Sequence, residues 1–210
     1  ATSSSSKIFL QTSEAIFEEH TPKALTKDKG YEDVSAVFFD ANSDGFQDLY
    51  VVSGGNEFQA GSRAYQDRLY INDGKGSFVK SNALPKINSS GGCVLPFDFD
   101  GDGDLDLFVG ARLVPKKYPK APKSYLLENR NGIFKDVIKT IAPELEYIGL
   151  VTDACVADID ANGSKELLVV GEWMAISIFE KSNSQYQKKD FSSLNHTEGW
   201  WNCIEANDVD

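Results

Sequence analysis

Three nine-residue acidic runs recur along the 210-residue chain: DANSDGFQD at 40–48, DFDGDGDLD at 98–106 and DIDANGSKE at 158–166. Aligned on their shared glycines (Gly45, Gly103, Gly163), they place oxygen-bearing side chains at positions 1, 3, 5 and 9. The candidate metal-ligating side chains are therefore Asp40, Asn42, Asp44 and Asp48; Asp98, Asp100, Asp102 and Asp106; and Asp158, Asp160, Asn162 and Glu166. A hard cation such as Ca2+ takes six to eight oxygens, and alternating carboxylates wrapped around a turn that only glycine makes freely supply them. An EF-hand is excluded, because it needs a glutamate at position 12 between two helices. Position 12 is Val51, Val109 and Val169, and the flanks are short apolar runs of strand character. A metal-free Asp/Asn/Gly hairpin turn is the competing reading. Against it stand three runs in register, with acids where turn chemistry asks for none.

The runs start 58 and 60 residues apart, and NCIEANDVD at 202–210 begins a fourth approach, with Asp208 and Asp210 at positions 1 and 3. Between the loops an apolar run recurs (KIFLQ, RLYIN, SYLLEN, AISIF), followed by a turn and an aromatic strand marked by Phe17, Phe78, Phe134 and Tyr186. Each unit thus reads as four short strands, A to D, with the acidic loop between A and B. Repeats of this length and strand number are propeller blades. The expected fold class is all-β: blades of four antiparallel strands, incomplete at just under four. The chain should open on a C–D pair, hold three full sets and close on one A strand. The expected organisation is a polar leader or linker at 1–6 and a propeller fragment at 7–210, with blade boundaries near 35, 92, 153 and 202. The segment 136–147 has room for a turn or two of helix.

The net charge is −11, from 32 acids and 21 bases. Ten of the acids sit at the ligand positions, so this acidity is partly that of metal sites. It argues against nucleic acid, whose binders carry basic patches. No run nears the ~20 apolar residues of a membrane helix, so membrane insertion is not expected, and no signal peptide is visible. The three cysteines, Cys93, Cys155 and Cys203, fall on predicted A strands as small residues lining the blade packing, without a disulfide framework. NSS at 88–90 and NHT at 195–197 fit the glycosylation sequon.

These residues resemble FG-GAP/VCBS-type repeats, the blades of integrin-α-like propellers. The resemblance lies in the acidic loops followed by DLYV or DLFV, and in GARLVPKKYP, SYLLENRNGIFKDV, LVTDACVADID, LLVVGEWMAISIF and GWWNCI. It covers 7–210 and is nearest to a bacterial subset of secreted or surface proteins that often carry an ASPIC-type domain. The resemblance implies Ca2+ in the loops, with position 7 (Phe46, Asp104, Ser164) giving a backbone carbonyl. It also implies an extracellular or cell-surface role in binding or adhesion, and a chain roughly half of a full ring.

The reading for function is a non-catalytic, Ca2+-stabilised binding module for an unidentified protein or glycan. A lectin-like propeller and an accessory part of a polysaccharide-degrading enzyme are the alternatives. No nucleophile–base pair stands apart from the loops, and His20 and His196 lie in connecting segments. Unclosed blades leave strand edges open to self-association. In a four-strand meander, the B–C and D–A connections lie at the end opposite the acidic loops. Arg63, Tyr65, Arg112, Lys116, Lys117 and Tyr118 are therefore the expected ligand face, with Trp173, Trp200 and Trp201 at nearby strand ends.

Overall fold

A computed structural model describes residues 6–207. It is all-β, in four antiparallel sheets, none closed on itself. A hairpin of β1 (Phe9–Ser13) and β2 (Ile16–Glu19) comes first, then a short helix α1 (Lys23–Lys27) that the sequence did not announce. The first blade is β3 (Asp33–Phe39), β4 (Asp48–Ser53), β5 (Arg68–Asn72) and β6 (Phe78–Lys80). The second is β7 (Ser90–Phe97), β8 (Asp106–Leu113), β9 (Tyr125–Arg130) and β10 (Ile133–Asp136), followed by the helical turns α2 (Ile138–Ile141) and 143–145. The third is β11 (Leu150–Ala157), β12 (Glu166–Met174), β13 (Ser177–Ser182) and β14 (Gln185–Lys189), with the two-residue β15 (Gly199–Trp200) added to β12.

Each acidic loop closes its A–B hairpin at the same pair: Phe39 opposite Asp48, Phe97 opposite Asp106, Ala157 opposite Glu166. The B strands read as near-continuous apolar runs because both of their faces are covered. In β8, Leu107 and Val109 join Phe39, Tyr50 and Tyr125 in the core shared with the first blade, while Phe108 joins Val151, Val169 and Phe179 in the core shared with the third. A period of two along one strand therefore feeds two different cores. The apolar interior lies between sheets rather than within any one of them. A third cluster, with Ile8, Leu25 and Tyr70, seats the β1 segment and α1 on the outer face of the first blade.

The A strands run side by side, β3 against β7 and β7 against β11. They come so close that a Cβ built on Gly92 would lie 2.3 Å from the carbonyl oxygen of Val151.

The expected terminal A strand is not formed. Residues 202–207 are irregular, and among the described residues the only ladder in this region is that of β15 with β12. Within a blade an A strand takes its ladder from its own B strand, and no such strand lies beside 202–207 among the described residues. The segment is instead pinned to β11 by the Ile204 amide, which donates to Asp153 Oδ2 at 3.0 Å. Asp208 and Asp210 lie outside the described residues. All three cysteines are free. Cys93 is buried in β7 and Cys155 half-buried in β11, but Cys203 is exposed and on no strand, contrary to expectation.

One buried carboxylate ties the first blade together. Asp67 accepts from Tyr50 Oη at 2.8 Å and from the Ser53 amide at 2.8 Å. Burial pushes its carboxyl up to about 7. Between the ordinary Asp range near 4 and that value, the folded chain holds a proton that the unfolded chain has released. The contribution of this group to stability is thus full below about pH 4 and is lost as pH rises through about 7. Asp67→Asn keeps the shape and removes the titration. In urea unfolding, the variant should therefore gain on the parent as pH rises from about 4.5 to 7.5, by on the order of 3–4 kcal/mol. Parallel pH profiles would show that Asp67 does not carry this linkage.

Candidate functional site

The three loops share one backbone device. In each, the position-1 aspartate accepts from the glycine amide: Gly45 to Asp40 Oδ2 at 2.8 Å, Gly103 to Asp98 Oδ2 at 3.1 Å, Gly163 to Asp158 Oδ2 at 2.8 Å. The position-5 side chain accepts from the amide two residues on: Phe46 to Asp44, Asp104 to Asp102, Ser164 to Asn162. The glycines stand at φ +88°, +94° and +87°, where a side chain would strain the turn.

The loops differ in what they bring together. In the second, Asp98, Asp100 and Asp102 are exposed and each offers an oxygen within 4.8 Å of the others. In the third, the converging set is Asp158, Asp160 and Glu166. In the first, the Asn42 amide donates to Asp44 Oδ2 at 2.9 Å, and no three-carboxylate cluster forms there among the described residues.

The position-9 acids separate in the same way. Asp48 is fully buried, its oxygens taken by the amides of Ala41 (3.0 Å) and Asn72 (2.7 Å). Asp106 repeats this with Phe99 (3.0 Å) and Asn129 (2.7 Å). In this geometry both are staples joining loop, B strand and C strand, and they stand outside the carboxylate clusters. Glu166 has one more methylene. Its Oε2 accepts from Ile159 at 3.1 Å, its Oε1 is buried without a hydrogen-bond partner, and the side chain offers one oxygen to the cluster with Asp158 and Asp160.

Position 7 also varies. Asp104 turns its side chain away to accept from Ser43 Oγ (2.8 Å) and the Asn131 amide (3.0 Å), tying the second loop to the first and to the β9–β10 turn. The Phe46 ring covers Gly74 in the β5–β6 turn. The A–B loops and C–D turns therefore share one end of the molecule.

The charges follow from this packing. Burial, then the neighbouring Asp102 and Asp98, raises the Asp100 carboxyl. Burial pushes Asp106 up to about 7 and raises Asp48 less far. A carboxylate crowd that holds protons more tightly than usual is one that a cation would relieve. Two lysines already lie close: Lys189 Nζ is 2.7 Å from Asp160 Oδ2, which lowers that carboxyl, and Lys181 Nζ donates to the carbonyls of Phe99 (2.8 Å) and Asp100 (3.0 Å).

At the opposite end, Arg112, Tyr118, Trp173 and Trp200 come together around a residue the sequence reading missed. Glu172 is buried, accepts from Arg112 Nε and Nη2 at 2.8 and 2.7 Å through Oε1, and accepts from Tyr118 Oη at 3.2 Å through Oε2. The one signal of Glu172 in the sequence is an acid continuing the buried run ELLVVG. Trp173 Nε1 donates to Tyr118 Oη, and the Trp173 and Trp200 rings meet edge to face, with centroids 5.1 Å apart. Lys116, Lys117 and Arg63 are exposed. Tyr65 is not a ligand-facing residue: its ring is fully buried and its hydroxyl bonds the backbone of Phe58.

Four-stranded antiparallel sheets side by side, each with its acidic loop at the same corner, define propeller-type blades. Residues 40–109 match the family model of an FG-GAP-like repeat, which runs from the first acidic loop through the second. No curated protein matches this chain. The repeat indicates, in general, a binding-type module of the kind found in extracellular and surface proteins. No helix among the described residues is long and apolar enough to cross a membrane.

Proposed function

We propose that this chain is a Ca2+-stabilised, non-catalytic binding module working outside the cell or at its surface. The convergence of Asp98, Asp100 and Asp102 within 4.8 Å carries the reading. These three side chains, with the Asp104 carbonyl, would hold the ion at the second loop. Asp158, Asp160 and Glu166 would hold a second, for which the unpartnered Glu166 oxygen speaks. Bound Ca2+ would supply charge neutralisation and pin the loop; its place is in the scaffold, and the partner docks elsewhere. The first loop, with Asn42 locked onto Asp44, is the weakest of the three.

Binding to the folded state alone raises stability, by about 2.7 kcal/mol when the ion stands at 100 times its Kd, or about 5–10 °C in a domain of this size. Calorimetric titration and thermal melts with and without Ca2+ should show this gain. Asp102→Ala should remove the share of the heat and of the shift that belongs to the second loop, leaving that of the third. If Asp102→Ala binds Ca2+ as the parent does, the second loop is not the site.

A further inference from the structure

We infer that the end opposite the acidic loops carries a binding platform for an anionic glycan. Pyranose rings would stack on Trp173 and Trp200, and the carboxylate or sulfate groups would lie against Lys116 and Lys117. This rests on reading the chain as a binding module and names its partner chemistry.

Three observations carry it. First, large apolar rings stand in solvent: Tyr118 is 55% exposed, Trp173 64% and Trp200 52%. Tyr118 and Trp173 are nevertheless fixed, by the chain running from Arg112 through Glu172 and Tyr118 to the Trp173 indole, and the Trp200 ring packs edge to face on Trp173. A rigid, exposed ring loses little entropy on stacking.

Second, Trp173 sits at φ +60°, a region that bulky side chains avoid. Seven residues past the position-9 acid of the first blade, the corresponding residue is Gly55, at φ +95°. A tryptophan held where glycine would be free of strain indicates a use for the ring.

Third, the chain has a net charge of −11, yet 110–127 holds five bases and no acid. Of these, Arg112 and Lys123 are paired, while Lys116, Lys117 and Lys120 are exposed and make no salt bridge among the described residues. They flank Tyr118 on the loop that reaches across to the third blade.

The size of the patch separates glycan from protein. Half-exposed aromatic rings of ~150–250 Å2 each offer roughly 300 Å2 in all, well short of the ~800 Å2 that each side of a stable protein interface buries. Ring-sized ligands with negative substituents fit both the area and the charge.

The test is tryptophan fluorescence and calorimetry on the 210-residue chain. The probes are tetragalacturonate, a sulfated galactan tetrasaccharide, neutral cellotetraose and hexaglutamate. One of the two anionic sugars should bind at least about tenfold tighter than cellotetraose, and which one does so identifies the anion. Trp173→Ala should lose at least about tenfold with Tm held within about 2 °C, because the side chain is exposed. The double variant Lys116→Gln/Lys117→Gln should weaken binding and flatten its salt dependence. Equal binding of cellotetraose overturns the charge assignment. Tighter Trp173-dependent binding of hexaglutamate overturns the glycan in favour of an acidic protein. Parent-like binding by Trp173→Ala, or no binding of either anionic sugar, overturns the site. Titrating the same preparations with Ca2+ keeps the two readings apart: Ca2+ heat without sugar binding sinks the glycan alone, and the absence of both sinks the module.

Discussion

Asp106→Ala is expected to cost about 3–5 kcal/mol of stability in Ca2+-free buffer, among the largest effects any single polar side chain here should have. The residue is fully buried, and its two oxygens are the partners of the Phe99 and Asn129 amides, at 3.0 and 2.7 Å. Removing the carboxylate leaves two buried donors unpaired at about 1–3 kcal/mol each, and a void beside them. Asp106→Asn should fall between variant and parent, since an amide accepts one of the two donors and turns its own N–H toward the other. Chemical unfolding in the presence of chelator is the deciding measurement. A side chain whose main work is holding an ion would show no loss under those conditions and would lose only its Ca2+ response.

Gly92→Val should be as damaging, at about 3 kcal/mol or more. A Cβ there meets the Val151 carbonyl oxygen at 2.3 Å and the Arg112 Cβ at 3.1 Å. The first of these contacts is with backbone, so no side chain can swing aside to make room. Relief requires β7 to move away from β11, opening the core between the second and third blades. Gly30→Ala is the matched control, because nothing lies within 4 Å of its Cβ position. Its Tm should stay within about 2 °C of the parent while Gly92→Val falls by roughly 6–12 °C. Similar melting temperatures for the two variants would mean that the A strands are not held at the separation described.

Much of this was legible in the sequence because it rests on local chemistry. The loops announce themselves through alternating acids about a glycine, and the C and D strands through RLYIN or SYLLEN followed by a turn and an aromatic. What escaped depends on where a side chain ends up. Asp48 and Asp102 both read as loop carboxylates, yet one is enclosed by two amides and the other stands in solvent. A single methylene decides that Glu166 reaches the cluster where Asp106 does not. Tyr65 reads as an exposed loop aromatic because no periodicity reports a ring folded back on Phe58. Glu172 was missed because a buried acid is recognisable only once Arg112, sixty residues away, is seen beside it. The segment at 202–207 carries the A-strand pattern, but a pattern forms a strand only where a partner lies alongside.

Because the cores lie between sheets, cohesion here is a property of junctions. Each blade is a thin slab with little interior of its own, and the strands of the middle blade feed both junctions: β8 gives Leu107 and Val109 to one and Phe108 to the other, and β9 gives Tyr125 and Leu127 to one and Leu126 to the other. Stability in such an arrangement is close to a sum of neighbour terms. A lesion in an outer strand such as β14 reaches one seam, through Tyr186, whereas one in β7 or β8 loosens two at once. The middle sheet is therefore the keystone of the assembly, and tolerance to substitution should decline from the outer strands toward it.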